Sequence, residues 1–121
     1  ISYADFIKIN LKMINQIIKM GGSILATLYC PSLPTKNNMN RKPGNGMFTE
    51  IAQRLNITLN NCYSIGDSPR DIDASLLSNC RPLGVRTGNG YDIEKNTKYK
   101  IPMFNDLSDA VDYVLKHDTK D

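Results

Sequence analysis

Ser64-Ile65-Gly66-Asp67-Ser68-Pro69-Arg70-Asp71-Ile72-Asp73-Ala74 decides the fold. The apolar run 61–65 (NCYSI) predicts a strand that ends at Gly66-Asp67. Asp71–Ser78 predicts a helix whose apolar side carries Ile72, Leu76 and Leu77. A strand, a tight turn and a helix make half of a βαβ unit. In open α/β sheets, ligands bind beyond the carboxyl ends of the strands. A carboxylate at position 67 is therefore placed to bind Mg²⁺, which prefers hard oxygens and shares itself with substrate phosphate. Asp71, four residues on, reads as an outer acid or as a group that orients a neighbouring Lys. The same pair also has a plain structural reading, with Asp67 as a helix cap and Asp71 as an acid in the favourable first turn.

The pattern continues in both directions. Downstream, Pro82–Val85 predicts a third strand, followed by a loop over Arg86–Tyr91 that either borders the same mouth or is a surface turn. Asp106–His117 predicts a final helix through Leu107, Ala110, Val111, Val114 and Leu115, with Ser108 near its start. Upstream, Met47, Ile51 and Leu55 give helical spacing over Gly46–Leu55. Before it, 31–46 (PSLPTKNNMNRKPGNG) is rich in Pro, Gly and Asn and reads as a long loop. Ser23–Cys30 (SILATLYC) predicts a buried strand. Tyr3–Met20 predicts an amphipathic helix stopped by Gly21-Gly22. The alternation of strands and helices specifies an α/β fold with a mostly parallel sheet.

Composition sets the outer bounds. The 121 residues, 40% hydrophobic and 22% charged, suit one domain over 1–121. The net charge of +3 is spread over 15 basic and 12 acidic residues without a basic stripe, so no nucleic-acid partner is expected. No apolar run is long enough to cross a membrane, and no membrane partner is expected. Cys30, Cys62 and Cys80 are odd in number and far apart. A reducing, cytoplasmic setting accommodates them more simply than a disulfide framework. Because the chain opens at Ile1, an earlier part of the protein is expected to be missing.

Two further clusters bear on chemistry. Arg41-Lys42-Pro43-Gly44 places two cations before a turn, where Lys42 can act as a point charge on a phosphate and Arg41 as a planar fork. Taken alone, it is also an ordinary solvated turn. Asp71 and Asp73 look like a catalytic pair, but residues i and i+2 of a helix do not face the same way. Cys62 and Cys80 read as small hydrophobes, and His117 as a residue of a solvated helix end.

These residues, in this order, resemble the haloacid-dehalogenase superfamily of Mg²⁺-dependent phosphatases, and within it the branch acting on heptose bisphosphates and histidinol phosphate. The likeness runs from Tyr3 to the last helix. It is carried by the YCPxxP turn at Tyr29–Pro34, RKPGxGM at Arg41–Met47, SIGDSPRDIDA at Ser64–Ala74 and LGVRTGNG at Leu83–Gly90. The resemblance implies a Rossmann-like three-layer fold with a parallel sheet, incomplete at the amino end. It implies hydrolysis of a sugar bisphosphate, in carbohydrate metabolism serving lipopolysaccharide precursors, through an aspartyl-phosphate. Lys42 would be the phosphate-binding lysine, Asp67 the Mg²⁺-binding aspartate, Asp71 the acid completing that motif, and Arg41 a substrate-binding residue.

Two departures matter. The family's zinc loop carries Cys-x-His and then Cys-x-Cys, where this chain has Cys30 and Ser32, then Asn38 and Asn40, so zinc is not expected. The family's opening segment, with the nucleophile and the acid/base aspartate, has no counterpart here. The 121 residues alone are therefore expected to be inactive, with exposed strand edges that invite a second copy or the missing segment. The other readings are a histidinol-phosphate phosphatase and a non-catalytic, truncated relative that serves as a binding module.

Overall fold

The structure, a computed structural model, describes residues 2–28, 44–96 and 98–117. Contacts group the chain into two compact units, Ile1–Leu33 and Pro34–Asp121.

The first unit is built on α1 (Tyr3–Lys19). The Ser2 hydroxyl accepts the Asp5 N–H at 3.1 Å and satisfies one of the helix's unpaired donors. At the other end Gly21 turns left-handed at φ +88°. There Gly22 N–H donates to the Ile17 carbonyl and Gly21 N–H to that of Ile18, both at 3.0 Å. This is the Schellman pattern, which favours Gly because a side chain is strained at that φ. The anticipated strand over Ser23–Cys30 does not appear: 23–28 carry no strand, and Leu25 is 82% exposed. A strand exists only through its ladder partners, and an apolar run cannot report whether a partner is there. Residues 29 and 30 lie outside the described residues.

The second unit begins with α2 (Gly46–Leu55), which ends at a left-handed Asn56 with φ 53°. Then come β1 (Tyr63–Gly66), α3 (Pro69–Leu77), β2 (Arg81–Val85), α4 (Gly90–Lys95), β3 (Met103–Phe104) and α5 (Leu107–His117). The strands form a parallel sheet in the order β1-β2-β3. Ile65 pairs with Leu83 and Gly66 with Gly84, while Val85 pairs with Phe104.

Side-chain alternation gives the sheet two covered faces. Tyr63 and Phe104 meet Tyr113 of α5, with ring centroids 6.1 and 5.1 Å apart. On the other face Gly66 lies against Asp71 of α3, and Gly84 against Met103 of β3 and Ile93 of α4. Burial on both faces is the usual state of a parallel sheet. The core is Ile72, Ala74, Cys80, Leu83, Val85, Ile93 and Ala110. Burial pushes the Cys80 thiol up from its ordinary pKa, as suits a small core hydrophobe.

Two local details depart from the sequence reading. Part of the anticipated Arg86–Tyr91 loop is the start of α4, whose six residues give too little periodicity to be recognised. The two-residue β3 has the same difficulty. α5 is capped by Asp106, whose Oδ1 accepts the Asp109 N–H at 2.9 Å. Among the described residues no helix is long and apolar enough to cross a membrane.

Candidate functional site

β1 ends at Gly66, and Asp67 stands immediately beyond its carboxyl end. Ser68, with extended backbone at φ −145°, is the N-cap of α3, and Pro69 occupies the first turn. Proline suits that position because its missing N–H would have had no helical partner.

Asp71 reaches back over this turn. Its Oδ2 accepts the Asp67 N–H at 3.0 Å, the Ser68 N–H at 3.1 Å and the Ser68 hydroxyl at 3.1 Å. A charged acceptor shared by two backbone donors and a hydroxyl fixes the turn more firmly than neutral hydrogen bonds would. Gly66 makes this approach possible. A methyl there would collide with the Asp71 Cβ and stand 2.8 Å from its Oδ2. Sequence reading offered Asp71 as an outer acid, as a group that orients a neighbouring Lys, or as a first-turn residue. In the structure its carboxylate takes the backbone at the strand tip.

The Asp67 side chain is half-buried, and among the described residues nothing donates a hydrogen bond to its carboxylate. It rests against Gly88, in the loop after β2, where a methyl would run into Oδ2. Gly88 has φ +63°, so both its backbone and its neighbour call for glycine. Of the two readings for Arg86–Tyr91, the structure supports the loop that borders the site. Gly88's role left no signal beyond the glycine itself.

At the tips of β2 and β3, Arg86 donates to Glu94 through Nε and Nη2, both at 2.9 Å, and to Asn105 Oδ1 through Nη1 at 3.1 Å. The guanidinium holds the Glu94 carboxyl below the ordinary carboxylate range. Sequence reasoning named Arg86 only as the start of the loop after the third strand and passed over Glu94 and Asn105.

Asp73 is not part of this cluster. Its Oδ1 accepts the Tyr99 hydroxyl at 2.7 Å and Lys98 Nζ at 3.3 Å. Asp73, Lys98, Leu76, Leu77 and Gly44 line an open groove of about 600 Å³. Asp71 and Asp73 therefore face different partners, as helical geometry requires. Arg41 and Lys42 lie outside the described residues, as do Cys30, Ser32, Asn38 and Asn40.

The donor set fits magnesium in kind. Mg²⁺ is usually held by one or two carboxylates, with water and substrate oxygens completing its shell. Asp67 supplies one hard oxygen donor at a strand tip, with its backbone fixed by Asp71. No group of three or more His, Cys, Asp or Glu that could enclose a metal occurs among the described residues.

A parallel sheet covered on both faces, with an aspartate just beyond a strand's carboxyl end, places the chain in the α/β class, whose ligands bind beyond the carboxyl ends of the strands. Residues 39–110 match the HAD-hydrolase-like family model, and the chain belongs to that family. It is 39% identical over 79 residues to the D-glycero-beta-D-manno-heptose-1,7-bisphosphate 7-phosphatase of Bordetella bronchiseptica, covering 65% of this chain and 44% of that protein. To the enzyme of the same name from Pseudomonas putida it is 33% identical over 93 residues, covering 76% of this chain and 53% of that protein. A crystal structure of the B. bronchiseptica D,D-heptose 1,7-bisphosphate phosphatase, complexed with magnesium and phosphate, superposes with a TM-score of 0.86 at 31% identity. The match covers 95% of this chain and 65% of that one. The chain spans about half the length of the curated relatives it matches.

Proposed function

We propose that the protein containing this chain is a Mg²⁺-dependent phosphomonoester hydrolase acting on a sugar bisphosphate, of the D-glycero-D-manno-heptose 1,7-bisphosphate kind. The observation that carries this is the Asp67 carboxylate at the tip of β1, whose backbone N–H donates to Asp71 and whose side chain is backed by Gly88. A relative with the same fold binds magnesium and phosphate.

In this reading Asp67 holds Mg²⁺ through its side-chain oxygens, and Asp71 keeps the Asp67 backbone in place. Lys42 places a cation on the transferring phosphoryl group, and Arg41 grips a second phosphate or a sugar oxygen. When bound, Mg²⁺ neutralises the charge of the phosphoryl group under attack. The attacking carboxylate of the aspartyl-phosphate route is assigned to no residue of Ile1–Asp121. The 121 residues by themselves are accordingly proposed to have no turnover.

The product of the complete reading frame should be assayed with Mg²⁺ on heptose 1,7-bisphosphate, histidinol phosphate and a generic phosphomonoester. Release of phosphate that is lost in Asp67→Asn supports the reading. No hydrolysis of any phosphomonoester, with Asp67 intact, overturns it. A non-catalytic binding module is the second reading, favoured by Ser32, Asn38 and Asn40 at positions where the resemblance calls for zinc ligands.

A further inference from the structure

The loop that backs Asp67 has no core of its own. Thr87, Gly88 and Asn89 are exposed; within the loop the Thr87 carbonyl accepts the Gly90 N–H at 3.3 Å and the Asn89 carbonyl the Asp92 N–H at 3.0 Å, and the contacts that tie it to the sheet lie at its ends. At one end the Arg86 N–H donates to the Phe104 carbonyl at 2.8 Å. At the other, Gly90 packs so closely on the Val85 carbonyl that a methyl would overlap it. Between these anchors Gly88 must hold φ +63° while the Asp67 carboxylate lies against it.

Arg86 stands at the carboxyl end of β2, where a free guanidinium would be an obvious phosphate ligand. It is not free. Nε and Nη2 form a fork on Glu94, and Nη1 reaches Asn105 beyond β3. One planar group thus ties the start of the Gly88 loop to α4 and to the end of β3. An ion pair this exposed adds little to global stability, but a two-pronged fork fixes orientation.

We infer that Arg86, Glu94 and Asn105 are positioning residues for the Asp67 carboxylate: they brace the 86–90 loop so that Gly88 presents a fixed wall and the carboxylate keeps one direction toward a divalent cation. They touch neither cation nor substrate. The inference rests on the proposed role of Asp67 as a metal ligand. Partners that orient a metal ligand at one remove commonly change metal affinity by about tenfold or more when lost.

The test is Mn²⁺ binding to the full-length product of the reading frame, read as loss of the free-ion electron paramagnetic resonance signal well below the melting temperature. Asp67→Asn, Glu94→Gln, Asn105→Ala and Gly88→Ala are compared with the wild type, and each variant's melting curve is recorded. Expected is a loss of about tenfold in Mn²⁺ affinity for Glu94→Gln and Gly88→Ala, with a smaller loss for Asn105→Ala. Melting temperature should barely move in the Glu94 and Asn105 variants. A purely structural role would lower the melting temperature and leave the affinity of the folded protein intact. Wild-type affinity in both Glu94→Gln and Asn105→Ala, with Asp67→Asn weakened, overturns the brace and leaves the metal reading standing. Wild-type affinity in Asp67→Asn overturns the metal reading and the brace with it.

Discussion

The Asp71 carboxylate lies under the backbone of Asp67, with Oδ2 accepting the Asp67 N–H at 3.0 Å, while Asp73, two residues on, faces Tyr99 and Lys98. Three acidic residues in seven therefore do three different things. Asp67 presents a carboxylate without a hydrogen-bond donor among the described residues, Asp71 holds the turn, and Asp73 pairs with a neighbouring segment. Each assignment has its own consequence.

Asp71→Ala removes the acceptor of three donors, two of them backbone N–H groups at a helix start. Losing a helix-start acceptor of this kind costs about 1–2 kcal/mol, and charge-assisted bonds raise the figure. Urea unfolding should show a loss of about 1–3 kcal/mol. Amide exchange at Asp67 and Ser68 should accelerate more than at Ile72 or Leu83. Uniform acceleration across the sheet would mean that Asp71 serves the whole unit and not the turn.

Gly66→Ala tests the same contact from the other side. The added methyl would collide with the Asp71 Cβ, which belongs to a helix and cannot retreat alone. Overpacking at such a site costs about 1–3 kcal/mol. The mutant should melt lower and bind Mg²⁺ or Mn²⁺ more weakly, because α3 must shift away from the strand that carries Asp67. A mutant with wild-type melting and metal affinity would show that α3 has room to move.

Much of this was legible in the sequence because strand-turn-helix punctuation is local. The bounds of α2 were read as found, and those of α1, β2 and α5 to within a residue. Gly66-Asp67 marked the tip of β1, whereas α3, expected from Asp71, starts two residues earlier at Pro69. Ser23–Cys30 misled because apolarity reports a wish for burial and not the presence of a ladder partner. The Gly88 wall and the Arg86 brace left no trace in the local pattern. Arg86 and Asn105 come together only because β2 and β3 lie side by side in the sheet. Arg41 and Lys42, the phosphate grip of the resemblance, lie outside the described residues.

Cys80 gives a pH signature. Burial, the largest cause, pushes its thiol up, with the neighbouring Cys62 adding to the effect. The unfolded chain therefore ionises this thiol before the folded one does. Stability is unaffected well below the ordinary thiol range and falls as pH climbs through it, because the unfolded state then gains the thiolate. Denaturation midpoints taken from neutral to alkaline pH should decline, and Cys80→Ala should decline less steeply. Equal slopes in the two proteins would mean that other groups carry the alkaline loss. In native protein a thiol reagent should reach half-buried Cys62 before Cys80.

Asp73→Asn separates the two acids of α3. Asp73 pairs with Lys98 and Tyr99 at the surface, away from the strand tip. Exposed ion pairs contribute about 0–1 kcal/mol, so the stability change should stay within that range. Mn²⁺ affinity should match the wild type, because among the described residues nothing joins Asp73 to Asp67 as Asp71 is joined. The Tyr99 phenol offers an independent readout. Burial, the largest cause, and its hydrogen bond to Asp73 both push it up, so the variant should titrate closer to an ordinary phenol by ultraviolet absorbance. If the variant instead lost metal affinity as Asp67→Asn is expected to, the division of labour among the three aspartates would fail, because a residue turned toward Tyr99 would be acting at the tip of β1.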